Sequence, residues 1–230
     1  MTTTPTPPPS GDQYLVLSYL AIRRAVGILG ILLPLVLPAG AFLFYHCSQL
    51  EPSISDYYHT YMRDVFVGTL CAVALFLFTY KGYDKWDRLA TNLASLFALG
   101  IAFCPTGPVP GDCSCSIPCS HAENLLNILH FVFASTFFLT LAIISFFFFT
   151  KSKGTMTAEK KKRNRVYRVC ALIMVVCLLM IALYLNIGSW HDRWEKYDPV
   201  YWLELIALFA FGASWLVKGE MILGDKNTGN

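Results

Sequence analysis

The sequence predicts an all-α polytopic membrane protein with six transmembrane helices and both termini in the cytoplasm, on three observations. The first is composition: of 230 residues, 55% are hydrophobic and 14% charged, with a mean hydropathy of +0.50. A soluble domain carries about 25% charged residues to wet its surface. The second is a set of six apolar stretches. The third is the way basic residues sort between the segments that join them. The same composition excludes a disordered chain, and a formal charge of +3 is too small for a nucleic-acid-binding surface.

Met1 to Gly11, rich in Thr and Pro, cannot build a core and is assigned to a cytoplasmic tail over residues 1–23. Residues 24–218 form the transmembrane domain and 219–230 a second cytoplasmic tail. The apolar stretches are Ala25 to Tyr45, Val65 to Tyr80, Leu89 to Cys104, Asn124 to Thr150, Val169 to Ile187 and Trp202 to Val217. A helix needs about 20 residues to cross a hydrocarbon core of about 30 Å, so the first, fourth and fifth suffice alone. The other three reach full length by drawing polar neighbours such as Asp64 or Glu204 to membrane depth. None shows the alternation of a barrel strand, so all six are read as helices. Pro34 and Pro38 should bend the first. Arg23 and Arg24 before an apolar run, with Ala39-Gly40-Ala41 after it, also fit a signal peptide; the run continues to Tyr45, the length of a complete span.

Cytoplasmic segments are enriched in Lys and Arg, which orients the six spans. One side holds Arg23, Arg24, Lys81, Lys85, Arg88, the eight basic residues from Lys151 to Arg168, Lys218 and Lys226; the other holds Arg63, Arg193 and Lys196. That is 15 of the 18 basic residues on one side, taken as cytoplasmic. The loop from Lys151 to Arg165 serves as a topology signal and also suits anionic headgroups. Leu96 to Ala102 and Leu208 to Ser214 look alike, as in an inverted repeat or as small residues that let helices pack closely.

All five histidines (His46, His59, His121, His130 and His191) fall on the outer side, together with nine of the 15 acidic residues. Imidazoles and carboxylates gathered on one face are the parts of a metal site, an acid/base site, or a hydrogen-bond network that holds the mouth of the bundle. Asp64 and Glu204 should lie within their spans near the outer end, where an ionisable group faces the bundle interior. Glu123, Asn127 and His130 share one helical face. The hydrolytic form of this reading takes His59, His130, His191 and Glu204 as zinc ligands and Asp64 or Glu123 as proton acceptor, against an ester or amide of an outer-leaflet lipid. Cys47, Cys104, Cys113, Cys115 and Cys119 also lie at the outer face, where an oxidising exterior favours disulfides; Cys71, Cys170 and Cys177 are packing residues.

The segment Ser53-Ile-Ser-Asp-Tyr-Tyr-His-Thr-Tyr-Met-Arg-Asp-Val-Phe-Val-Gly68 resembles a motif of a family of uncharacterised bacterial multi-pass membrane proteins. The resemblance extends through Lys81 to Asp84, Asn124 to His130 and Ser214 to Lys218. It implies a bacterial inner-membrane location and no known activity. More distantly, Ser55-x-x-x-His59, Asp64 and His191 are similar to the Ser, Asp and His set of the alkaline-ceramidase and adiponectin-receptor-like membrane hydrolases, which hold zinc through three histidines. Those have seven spans and a closing His-x-x-x-His, where this chain has six and His191-x-x-x-Glu195.

Three function classes stand: a non-enzymatic sensor, partner subunit or lipid-binding protein; a zinc-dependent hydrolase of outer-leaflet lipid; and a small transporter or channel. Membrane lipids are the expected partners, nucleic acid is not, and self-association stays open.

Overall fold

The computed structural model describes residues 11–47, 49–80, 82, 84–107, 124–152 and 156–223. All regular structure among them is helical. Helix α1 spans Gly11–Tyr45, α2 Arg63–Thr79, α3 Lys85–Phe103, α4 Asn124–Ile143, α5 Ala158–Asn186, α6 Gly188–Trp194 and α7 Pro199–Lys218. Short 3-10 turns at Ser55–His59 and Glu195–Tyr197 precede α2 and α7, and a π turn at Ile144–Phe148 extends α4.

Four of the helices are long and apolar enough to cross a membrane: Tyr19–Tyr45 of α1, Leu125–Phe148 of α4 with its π turn, α5 and α7. Large apolar side chains such as Phe44, Phe78, Leu96, Leu125, Leu172 and Leu179 are exposed on the outside. Water penalises such a surface and lipid does not. The chain is a membrane protein. Helix α2, with 17 residues, and α3, with 19, are about 26 and 28 Å long at 1.5 Å per residue.

Each of the six long helices packs on its chain neighbour, α1 on α2, α2 on α3, α3 on α4, α4 on α5 and α5 on α7, and α7 closes the ring against α1. The centre is aromatic. Trp215 and Phe211 of α7 meet Phe137 of α4, Phe149 and Tyr80 at ring separations of 5.2 to 6.2 Å.

The α1–α7 seam shows why the sequence folds as it does. Gly27 and Gly212 face each other so closely that a Cβ on Gly212 would stand 2.7 Å from the Gly27 carbonyl oxygen. Small residues let the two backbones touch, the packing reading of the Leu208 to Ser214 segment. Pro38 has no N–H to give the carbonyl of Pro34 four residues earlier. The Tyr201 hydroxyl of α7 donates to that carbonyl instead, at 3.2 Å.

The helices alternate between two ends. At the basic end, Arg24 Nε donates to the Gly219 carbonyl at 2.8 Å, and Lys151 Nζ bridges Asp84 at 2.8 Å and Asp87 at 2.7 Å. Lys160 Nζ donates to the Phe149 carbonyl at 3.0 Å. The segments richest in Lys and Arg therefore meet at one end, and the histidine-bearing segments at the other.

Two boundaries differ from expectation. The tail assigned to residues 1–23 becomes helix from Gly11, because nothing between Asp12 and Arg23 interrupts propagation of α1. The Lys151 to Arg165 loop becomes helix from Ala158. Thr157 caps α5 by accepting the Lys160 N–H, and Glu159 in the first turn suits the positive end of the helix.

Candidate functional site

A cavity of about 420 Å³ opens at the histidine end between α4, α5 and α7. The turn before α2 and residues Thr106 and Gly107 complete its wall. Helix α4 contributes Asn127, His130, Phe131, Ala134, Ser135 and Phe138, and α5 contributes Cys177, Leu178, Ile181, Tyr184 and Leu185. Each set recurs at three- and four-residue spacing, which puts it on one helical face. The cavity has two chemistries. Ser53, Ser55, Asp56, Thr106, Asn127, His130, His191, Glu195, Asp198 and Glu204 line its mouth, while Ala134, Phe138, Cys177, Leu178 and Ala207 line its depth. From His130 to Phe138 the floor descends about 12 Å along α4.

Hydrogen bonds hold the mouth. Glu204, one turn into α7, accepts the Ile54 N–H at 2.6 Å through Oε2 and the Ser55 hydroxyl at 3.4 Å through Oε1. The Tyr201 N–H donates to the Pro52 carbonyl at 3.0 Å, so the loop before α2 is stitched to α7 by backbone as well. Asp56 accepts the Thr106 hydroxyl at 2.8 Å. His59 Nε2 lies 2.9 Å from the Thr106 carbonyl and 3.2 Å from its Oγ1. A carbonyl only accepts, so Nε2 carries the proton, and the buried Nδ1 has no partner among the described residues. The same logic fixes His130: its Nδ1 donates to the Cys104 carbonyl at 2.6 Å, which leaves Nε2 as the nitrogen open to a ligand. His130 is 2% exposed and lines the cavity.

Acid accumulates here without a basic counterpart. Asp56, Glu195, Asp198 and Glu204 line the cavity, and no Lys or Arg is among its described lining residues. Glu51, buried beside the mouth at 7% exposure, shows the consequence. Burial, with Asp56 and Asp198 nearby, pushes its carboxyl up to about 7. Burial also raises Asp198. Asp198 takes a left-handed backbone at φ 48°, and Pro199 follows as the first residue of α7, where its missing N–H is no loss.

The cavity gathers part of the predicted site. His130, His191 and Glu204 line it; His59 stands behind its wall through Thr106. The expectation that Asp64 joins them is corrected. Helix α2 starts at Arg63, between His59 and Asp64, so Asp64 sits exposed in the first turn and is not a cavity residue. The zinc set of His59, His130, His191 and Glu204 is corrected as well: among the described residues no three His, Cys, Asp or Glu side chains are grouped to hold a metal ion. His59 spends its Nε2 proton on Thr106 behind the cavity wall, and His191 stacks on Tyr184 with ring centroids 5.2 Å apart. His121, Glu123, Cys113, Cys115 and Cys119 lie outside the described residues. Cys104, expected in a disulfide, is a free thiol, as are Cys71, Cys170 and Cys177; Cys47 is not one of the free thiols.

Sequence reasoning placed Glu51, Asp56 and Asp198 on the outer side without assigning them to a site, and it passed over Thr106. The α5 face was also missed. Cys177, Leu178, Ile181, Tyr184 and Leu185 sit in an apolar span, where nothing distinguishes cavity-facing from lipid-facing residues.

Residues 27–219 match the protein family described as a protein of unknown function, DUF998. No curated protein and no solved structure gives a significant match.

Proposed function

The chain belongs to the DUF998 family, whose function is unknown, and we propose that it is a non-enzymatic binding protein for an amphiphilic lipid. The apolar chain of the ligand occupies the depth of the cavity and its polar end the mouth. One observation carries the reading: a single cavity of about 420 Å³ with a hydrogen-bonding mouth and a floor of Ala, Leu, Phe and Cys side chains. That volume falls in the range of small-molecule sites, about 300–1,000 Å³, and its division into two chemistries matches a molecule divided in the same way. Helices α4, α5 and α7 around it are among those apolar enough to stand in lipid, the natural source of such a ligand.

In this proposal α2 and α3 also cross the membrane, giving six spans. They are paired with each other, packed between spanning neighbours, and close to the thickness of the hydrocarbon core. In the same proposal the basic end faces the cytoplasm of a bacterial cell and the cavity faces outward, a reading that the collection of Lys and Arg at one end supports. A reporter fused after Asn230 should be cytoplasmic; an external one would overturn the orientation.

The binding test is mass spectrometry of lipid that co-purifies with the wild-type protein and with Ala134→Trp, which fills the cavity from α4. Wild-type protein should carry a stoichiometric amphiphile and the folded variant should lose it. Equal retention by both would place the lipid on the outer surface and refute the cavity as the site.

A further inference from the structure

We infer that the polar end of the bound amphiphile is a protonated amine. The inference rests on the binding role proposed above and concerns the chemistry of the ligand at that site. Asp56, Glu195, Asp198 and Glu204 bring carboxylates to the cavity, and no Lys or Arg is among the described residues that line it. An anionic head would meet acidic groups without a compensating cation, whereas an ammonium group finds carboxyl oxygens to accept its N–H bonds.

His130 is the second, independent observation. It is 2% exposed, it lines the cavity, and its Nδ1 is committed to the Cys104 carbonyl at 2.6 Å. The remaining nitrogen, Nε2, makes no hydrogen bond among the described residues and in the neutral ring is an acceptor. An acceptor on a residue that lines the cavity can take a hydrogen bond from a donor on the ligand. An ammonium head has three N–H donors, enough for His130 Nε2 and two carboxylate oxygens, while a carboxylate or phosphate head has none to offer.

A free long-chain amine and the ethanolamine head of a phospholipid share this chemistry. They differ in the phosphate that the phospholipid carries toward the same acidic mouth.

The test compares three probes with one chain: dodecylamine, dodecanol and dodecanoate, titrated calorimetrically into the full-length protein in non-ionic detergent at neutral pH. Dodecylamine should bind about tenfold or more tighter than the other two, and Glu204→Gln should reduce that preference. The glutamine still accepts the Ile54 N–H, so the loop stays seated. Asp198→Asn, whose new residue tolerates the left-handed backbone, provides a second variant with the same expected direction. Competition by an ethanolamine phospholipid as strong as that by the amine assigns the head to a lipid; failure to compete assigns a free amine. Equal binding of all three probes, abolished in each case by Ala134→Trp, would overturn the amine while leaving the cavity as a lipid site. Binding of none of them, or binding that Ala134→Trp leaves intact, would overturn the binding role itself and the amine with it.

Discussion

Gly212→Ala adds one methyl group to the α1–α7 seam and should destabilise the protein, whereas Gly68→Ala adds the same group to α2 and should stabilise it. At Gly212 the new Cβ would stand 2.7 Å from the Gly27 carbonyl oxygen and 2.5 Å from Ile31 Cγ1. Non-bonded heavy atoms prefer about 3.5 Å or more. Ile31 can turn aside, but the Gly27 carbonyl is part of helix α1 and cannot, so the helices must part by roughly half an ångström or more. Overpacking of this kind costs about 1–3 kcal/mol. The better helix propensity of Ala returns at most about 1 kcal/mol. At Gly68 a Cβ meets nothing within 4 Å, so only the propensity gain of about 0.5–1 kcal/mol remains. The two variants should differ by about 2 kcal/mol, or roughly 4–8 °C in melting temperature for a chain of this size. Tryptophan-fluorescence melts in one detergent, checked by the fraction that stays monodisperse after heating, measure the difference. Gly27→Ala presses on the same contact from the other side, its Cβ 2.8 Å from the Gly212 carbonyl oxygen, and should match Gly212→Ala in sign. A Gly212→Ala variant as stable as Gly68→Ala would refute the close helix contact.

Three further outcomes are expected. Glu51 has a folded-state pKa raised from 4.5 to about 7, so the folded protein holds a proton there that the unfolded chain releases. Stability should therefore fall as pH rises from about 4.5 to about 7 and then level off, by roughly 2 kcal/mol after allowance for solvent screening; Glu51→Gln should flatten this part of the curve in pH-dependent melts. Cys104 should be alkylated in denatured protein without reductant, whereas Cys47, not one of the free thiols, should be labelled only after reduction; mass spectrometry showing both labelled without reductant would refute a disulfide at Cys47. Tyr201→Phe leaves the Pro34 carbonyl unserved in the middle of a kinked helix and should cost about 1 kcal/mol, read in the same melts.

The membrane class and helical content were legible in the sequence, because hydropathy and helix length depend on local composition alone. The Lys and Arg count anticipated which segments meet at one end, since charge placement along the chain and contact at the bundle's end have one cause, the avoidance of hydrocarbon. The pairing of Asn127 with His130 on one face followed from helical spacing. Helix starts were less legible. Gly11 and Ala158 lie well before the apolar runs they lead into, and hydropathy marks where a helix enters lipid rather than where its hydrogen bonds begin.

Only the tertiary structure decided what the outer residues do. Asp64 and Glu204 look equivalent in the sequence, each an acid near the end of a span. The start of α2 at Arg63 turns Asp64 outward, while the Ile54 N–H and Ser55 hydroxyl receive Glu204 at the cavity mouth. His59 and His130 are both buried histidines, yet one spends its Nε2 proton on Thr106 and the other keeps Nε2 for the cavity. These differences depend on partners 26 to 150 residues away along the chain. A sequence records which groups are available to bond; the packing of α4, α5 and α7 selects which of them are left over, and the leftover groups make the site.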